Sequence, residues 1–225
     1  MKKRRIFHIY LFRHGQTYYN RDGIFTGWKD SNLTPLGMKQ AETVAKKLKN
    51  KKILAAFQTS LSRSKDTLKE VLKFHPECRI VITDDRIIER SYGDLEGISH
   101  EEFIERIGEK IYNLEKCGDA LENFSSQMRK KAKKLFGKNE YNQINRGYKT
   151  YPPNGESLYM VEKRVKKFII SLKKFMTKNK INSVAISAHG NSIRMFRKIM
   201  EKKSEEEMQK WFIPYDKVFE YTIKT

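Results

Sequence analysis

An arginine beside a histidine, with a glycine next and hydrogen-bonding residues just beyond, can hold an anion and act on it. The run Arg13-His14-Gly15-Gln16-Thr17, followed by Asn20, has that make-up. The guanidinium fork matches phosphate oxygens, the glycine admits backbone close to a ligand, and the histidine stands where it could attack what the arginine holds. A second histidine opens His189-Gly190-Asn191. Two more segments carry suitable groups. Arg63, in Thr59-Ser60-Leu61-Ser62-Arg63, falls near an expected helix start, where helix N–H groups and an arginine form a natural anion subsite. Alone, it would read as a solvated helix arginine. Glu89, in Glu89-Arg90-Ser91-Tyr92-Gly93, is a candidate general acid, though an isolated loop carboxylate is commonplace. Asn191 or Ser192 also suits the cap of a following helix.

The elements that must position these groups can be read from apolar pattern. Ile6 to Phe12 and Ser183 to Ala188 read as buried strands, each ending at a histidine. Ile53 to Thr59, Arg79 to Thr83 and Val218 to Ile223 are further strand candidates. Thr34 is a good N-cap and Pro35 a good first helical residue for a helix to about Asn50. Ser60 or Ser62 opens a second helix that ends before Pro76. A charged helix spans Ser99 to about Leu114, and Val161, Val165, Phe168, Ile169, Leu172 and Phe175 lie on one helical face. Shorter helices are expected at Ser192 to Met200 and Ser204 to Trp211. Cys117 to Pro153 reads as an excursion over the core: a basic amphipathic segment, Asp119 to Phe136, then a polar loop rich in Asn, Gly and Tyr. Alternating strands and helices predict a three-layer α/β/α fold with a mostly parallel mixed sheet and helices on both faces. Residues 1–225 form one domain, with an insertion or cap at about 99–153. Ligands of such sheets bind at the carboxyl ends of the strands, where both histidines fall.

Bulk properties narrow the function. Net charge is +20 over 225 residues, which suits anionic ligands. Most of the excess lysines, among them Lys46, Lys47, Lys49, Lys166, Lys167, Lys173 and Lys174, are scattered along helices without interleaved aromatics. They read as solvated faces, so nucleic acid is not an expected partner. No apolar stretch approaches the ~20 residues of a membrane span. The N-terminal apolar run reads as a strand rather than a signal peptide. Cys78 and Cys117 lack metal spacing and read as reduced thiols of a cytoplasmic protein.

Taken together and in order, these segments resemble the histidine phosphatase superfamily, also called the phosphoglycerate mutase-like family. Phe25-Thr26-Gly27-Trp28, Leu33-Thr34-Pro35-Leu36-Gly37 and Gly155-Glu156-Ser157 fill in the series, and the resemblance covers nearly the whole chain. It implies that His14 is the nucleophile and becomes phosphohistidine. It implies that Arg13, Arg63 and His189 surround the transferred group and that Glu89 protonates the leaving oxygen. Asn20, Thr26, Gly27, Tyr92, Gly190 and Asn191 match positions lining the phosphate or substrate pocket, and Glu156 matches a supporting residue. No metal is implied, since phosphoryl transfer needs mainly positioning and charge stabilisation.

The family divides into mutases and phosphatases. The beginning and the last third look like the mutases. The middle does not: by ungapped count the mutases' substrate-binding lysine falls on His100 and their arginine pair on Lys116-Cys117, while Asp94-Leu95-Glu96-Gly97 is more like the phosphatases. The basic run Arg129 to Lys134 is the remaining source of a second anion clamp. The expectation is therefore a phosphatase of small phosphorylated metabolites, needing no cofactor and acting as a monomer or homodimer. The alternative is a glycolytic phosphoglycerate mutase primed by 2,3-bisphosphoglycerate. A second alternative is a non-catalytic basic binding protein on the same scaffold.

Overall fold

The computed structural model describes residues 6–115, 121 and 124–224. Five strands form one sheet: β1 (Ile6–Arg13), β2 (Ala55–Gln58), β3 (Ile80–Thr83), β4 (Ser183–Ala188) and β5 (Val218–Lys224), in spatial order β3-β2-β4-β1-β5. β1 to β4 pair in parallel, and β5 runs antiparallel to β1 at the edge. Side chains alternate across the sheet as the period of two demands. Phe7, Ile9 and Leu11 of β1 enter the apolar layer shared with α6 (Leu158–Lys178) and α7 (Gly190–Glu201). Tyr10 and Phe12 enter the opposite layer, with Val44, Ala45 and Leu48 of α2 (Pro35–Leu48) and Leu68 and Val71 of α3 (Ser62–Leu72). Helices thus cover both faces, as expected. The seven helix lysines singled out above are all exposed.

Local chemistry explains the element starts. Thr34 caps α2 by accepting from Gly37 N–H at 3.0 Å, with Pro35 in the first turn. α3 differs from expectation. Its capping position is Leu61, which has no side-chain acceptor, and the cap comes from Asp30, whose carboxylate accepts from Ser62 N–H at 3.0 Å. One short helix, α1 (Tyr18–Arg21), is absent from the sequence reading. Thr17 and Asn20 make it by a reciprocal cap, each side chain accepting from the other's backbone N–H at 3.2 Å.

The excursion is a pair of helices, α4 (His100–Glu115) and α5 (Ser126–Arg146). The polar loop expected after Phe136 is a correction: helix continues ten residues further, through Gly137, Tyr141 and Asn145. Gly137 does not break the helix because it is a contact point. A Cβ there would collide with the Ile104 carbonyl of α4, and one on Gly108 would collide with the Lys133 carbonyl of α5. The pair rests on its own apolar cluster, in which Phe103 and Ile144 meet Phe25 and Tyr92. A short helix, α8 (Glu205–Gln209), follows α7 and is smaller than the expected Ser204 to Trp211. Lys116 and Cys117 lie outside the described residues. No described helix is long and apolar enough to cross a membrane.

Candidate active site

Parallel pairing puts the two histidines side by side. Arg13 of β1 is in register with Ala188 of β4, and His14 N–H donates to the Ala188 carbonyl at 3.1 Å. The next residues, His14 and His189, therefore leave the sheet together, with ring centroids 4.9 Å apart. Gly15 is required behind them. Its Cα lies against the first turn of α2, where a Cβ would collide with the Gly37 carbonyl, and its N–H donates to Thr67 Oγ1 at 3.1 Å.

His14 is buried, and its Nδ1 lies 2.7 Å from the Gly15 carbonyl oxygen. A carbonyl can only accept, so Nδ1 carries the proton and Nε2 keeps its lone pair. Burial first, then the Arg63 and Arg13 charges, holds His14 well below the ordinary imidazole range. His189 is fully buried and lowered likewise, by burial, Arg63, His14 and Arg13 in that order. Its Nε2 is 2.8 Å from Thr59 Oγ1, and its Nδ1 has no partner. Both rings are neutral at pH 7.

Two arginines flank this pair. Arg63 is 1% exposed, and its guanidinium donates to the Gly27 and Lys29 carbonyls at 2.7 and 2.8 Å. Burial pushes its pKa down to about 10, against the pull of Glu89 and Asp30, so it stays charged at neutral pH. Arg13 donates to the Ile213 carbonyl at 3.0 Å and lies over the Tyr215 ring at 4.0 Å. Its Nε is buried without a partner. Orphaned buried polar atoms are rare in native proteins, and here two of them, Arg13 Nε and His189 Nδ1, belong to residues beside His14.

Glu89 closes the inner end. Its carboxylate accepts from Arg90 N–H at 2.7 Å and from Asn191 N–H, in the first turn of α7, at 3.1 Å. The Glu89 carbonyl is clamped from two sides, by Trp28 Nε1–H and by Arg164, each at 2.8 Å. Arg164 also reaches the Arg86 and Ile88 carbonyls and both oxygens of Glu156. Arg90, fully buried, ties this loop to the cap through the carbonyls of Glu156, Ile144 and Thr150. Glu96 is a second tie, accepting from Trp28, Lys29 and Tyr92 N–H groups at 3.0, 3.1 and 3.0 Å.

The expected site residues, all but one, border a cavity of about 290 Å³. Arg13, His14, Asn20, Thr26, Gly27, Arg63, Glu89, Tyr92, His100, Gly190 and Asn191 line it. Of the expected site residues only His189 is not on its surface; it sits behind, sealed against His14 and Thr59. Thr26 and Asn20 spend hydrogen bonds locally, on the Ile24 carbonyl and on Thr17. The wall also holds Tyr19, Ile24, Asn145, Arg194, Phe212, Ile213 and Tyr215, none of them singled out from the sequence. Arg194 was within reach of a sequence reading: three residues beyond Asn191 on one helix, it lies on the same face and donates to Asn191 Oδ1 at 3.0 Å. The basic run does not enter this cavity. Lys130, Lys133 and Lys134 line a separate groove between α4 and α5.

Comparison with known proteins agrees with this geometry. The family model for the histidine phosphatase superfamily, branch 1, matches residues 9–130 and 119–224. A 2,3-bisphosphoglycerate-dependent phosphoglycerate mutase of Pseudoalteromonas atlantica is 32% identical over 193 residues, 85% of this chain and 83% of that protein. The protein of the same name from Methanococcus vannielii is 31% identical, over 92% of this chain and 86% of that one. Among solved structures, the α-ribazole phosphatase of Shigella flexneri superposes with a TM-score of 0.65 at 22% identity, covering 89% of this chain and 83% of that one. The phosphoglycerate mutase of Bacillus anthracis superposes with a TM-score of 0.67 at 18% identity, covering 98% and 91%. The chain therefore belongs to the histidine phosphatase superfamily, and is an enzyme of that group.

Proposed function

We propose that the protein is a phosphatase of small phosphorylated metabolites that works through a phosphohistidine on His14. The observation that supports it most is the inner end: a histidine with a free Nε2 lone pair, flanked by unpartnered nitrogens on Arg13 and His189. His14 Nε2 attacks phosphorus as the bond to the leaving oxygen breaks. Arg13 and Arg63 neutralise the equatorial oxygens, and the neutral His189 donates a hydrogen bond to one of them. For His189 this requires the Thr59 hydroxyl to donate to Nε2, which leaves the Nδ1–H for phosphate. Fixed donors aimed at developing charge in a dry site lower the barrier without reorganising during the step. Glu89 acts as general acid, giving a proton to the leaving oxygen, and then as general base, taking one from the water that attacks phosphohistidine. The water's oxygen leaves as inorganic phosphate, and His14 is regenerated.

Water is favoured as acceptor by the rest of the wall. Beyond the inner cluster it carries one permanent cation, Arg194, already tied to Asn191 Oδ1 and the Trp211 carbonyl, while Tyr19, Ile24, Phe25, His100, Asn145 and Phe212 make up much of the rest. A single tied arginine holds the second anion of a bisphosphate more weakly than a lysine and an arginine pair would. The reading needs no cofactor and places the enzyme in the cytoplasm, where the free thiol of Cys78 stays reduced. A second reading, a mutase using 2,3-bisphosphoglycerate as phosphoryl donor, is favoured by the names of the curated relatives. A panel of phosphorylated metabolites, scored for both phosphate release and isomer formation, separates the two. Phosphate release should dominate; faster interconversion of 2- and 3-phosphoglycerate with bisphosphoglycerate present rules the phosphatase out.

A further inference from the structure

The segment between α8 and β5 carries none of the motifs, yet Ile213 and Tyr215 make it one side of the catalytic cavity. It is tied down at both ends. The Trp211 carbonyl accepts from Arg194 Nε at 3.1 Å, and the Arg197 guanidinium lies over the Trp211 ring at 3.9 Å. Lys47 donates to the Asp216 carbonyl at 2.7 Å, and Ile213, in between, is buried.

Arg13 rests on this segment through two contacts of different kinds. Its Nη1 donates to the Ile213 carbonyl at 3.0 Å, and its Cζ stands 4.0 Å from the centre of the Tyr215 ring. A guanidinium is planar. The bond to Ile213 fixes how it turns within its plane, and a ring against its face fixes the plane itself. One edge of the fork is left, carrying Nε–H and Nη2–H side by side. Neither has a hydrogen-bond partner among the described residues. Two N–H groups on one edge fit two oxygens of a phosphoryl group. The guanidinium also borders the start of α7. A Cβ on Gly190 would stand 3.5 Å from both Arg13 Cζ and Glu89 Oε2, and 3.7 Å from Arg13 Nε. Arg13 and the candidate general acid therefore meet at the same end of the cavity.

We infer that Tyr215 is a positioning residue, whose ring holds the Arg13 guanidinium in the plane where its Nε–Nη2 edge meets the transferred phosphoryl group. The inference rests on His14 as phosphoryl acceptor, and it holds whether water or a second metabolite then takes the group. The ring acts rather than the hydroxyl, because the attraction is between a cation and a π face.

The test is a double-mutant cycle on hydrolysis of p-nitrophenyl phosphate, with orthovanadate affinity by calorimetry as a second readout. Tyr215→Leu keeps an apolar side chain and removes the ring. It should lower kcat about three- to thirtyfold, the worth of one cation–π contact, with a smaller change in KM. Orthovanadate should bind more weakly by a similar factor. Tyr215→Phe should keep most of both. In an Arg13→Lys background Tyr215→Leu should cost little more, because an ammonium is a point charge with no plane to set. Equal cost in the two backgrounds would mark Tyr215 as packing alone and overturn the inference. So would a Tyr215→Leu protein unchanged in kcat and orthovanadate affinity, or a loss in Tyr215→Phe as large as in Tyr215→Leu. If the wild type releases no nitrophenol, it is the phosphatase reading that fails, and the orthovanadate cycle still decides the role of Tyr215.

Discussion

The inner end of the pocket and its outer wall are held in place by different forces. His14 and His189 leave adjacent strands whose register is set by backbone hydrogen bonds and by the buried faces of β1 and β4. Moving either one means slipping a strand, which would turn its apolar side chains to the wrong layer. The outer wall hangs on side chains. Asn145 and Tyr141 arrive on a helix held to the rest of the molecule through Arg90 and a small apolar cluster, and to α4 by a glycine crossing. A rigid frame suits a phosphoryl group that is the same in every substrate. A side-chain frame can change residue by residue, and it faces the part of the substrate that differs.

The contrast can be broken hardest at His14. His14→Ala should lower turnover of a chromogenic phosphate monoester by roughly 10⁴-fold or more, the scale of losing a nucleophile, with little change in the circular dichroism. Arg63→Ala should cost about 10²- to 10³-fold in kcat, as for one lost oxyanion donor, and should also destabilise the fold by leaving the Gly27 and Lys29 carbonyls unpaired. Thermal melts read the second effect and steady-state kinetics the first.

Acid probes the inner end without mutation. The folded state holds His14 and His189 well below the ordinary imidazole pKa. Below about pH 6.5 the unfolded chain therefore binds protons that the folded chain refuses. Stability contributed by the neutral pair is complete above that pH and is lost as pH falls toward the folded values. The loss is about 1.4 kcal/mol per pH unit for each ring, read by urea titration at stepped pH. His14→Asn should flatten the slope. At the outer wall the effects should be smaller and of another kind. Gly137→Ala wedges α5 away from the Ile104 carbonyl, at a cost of about 1–3 kcal/mol, and should raise KM more than it lowers kcat.

The same division governs what can be read from sequence. Strand ends, with their histidines, are visible because apolar runs are local and the residues that follow them are few. Arg63 and Glu89 gain meaning only through the order of the motifs. The hairpin was obscured because Gly, Asn and Tyr favour loops by local preference, and packing against α4 overrides that preference from Gly137 to Arg146. Asp30 capping α3 from thirty-two residues away leaves no sequence pattern at all. Asn145 escapes in part for the same reason: Tyr141 stands four residues before it on the helix, but nothing near it in the chain records the approach of Tyr92.

A phosphohistidine mechanism depends on the Gly15 carbonyl holding the Nδ1 proton of His14 and leaving Nε2 free. Phosphorus-31 NMR of protein quenched in alkali during turnover tests this most directly. It should show an acid-labile phosphoramidate on Nε2 of His14, absent in His14→Ala. A phosphate on Nδ1, on another residue, or no covalent adduct under conditions where product forms would contradict it.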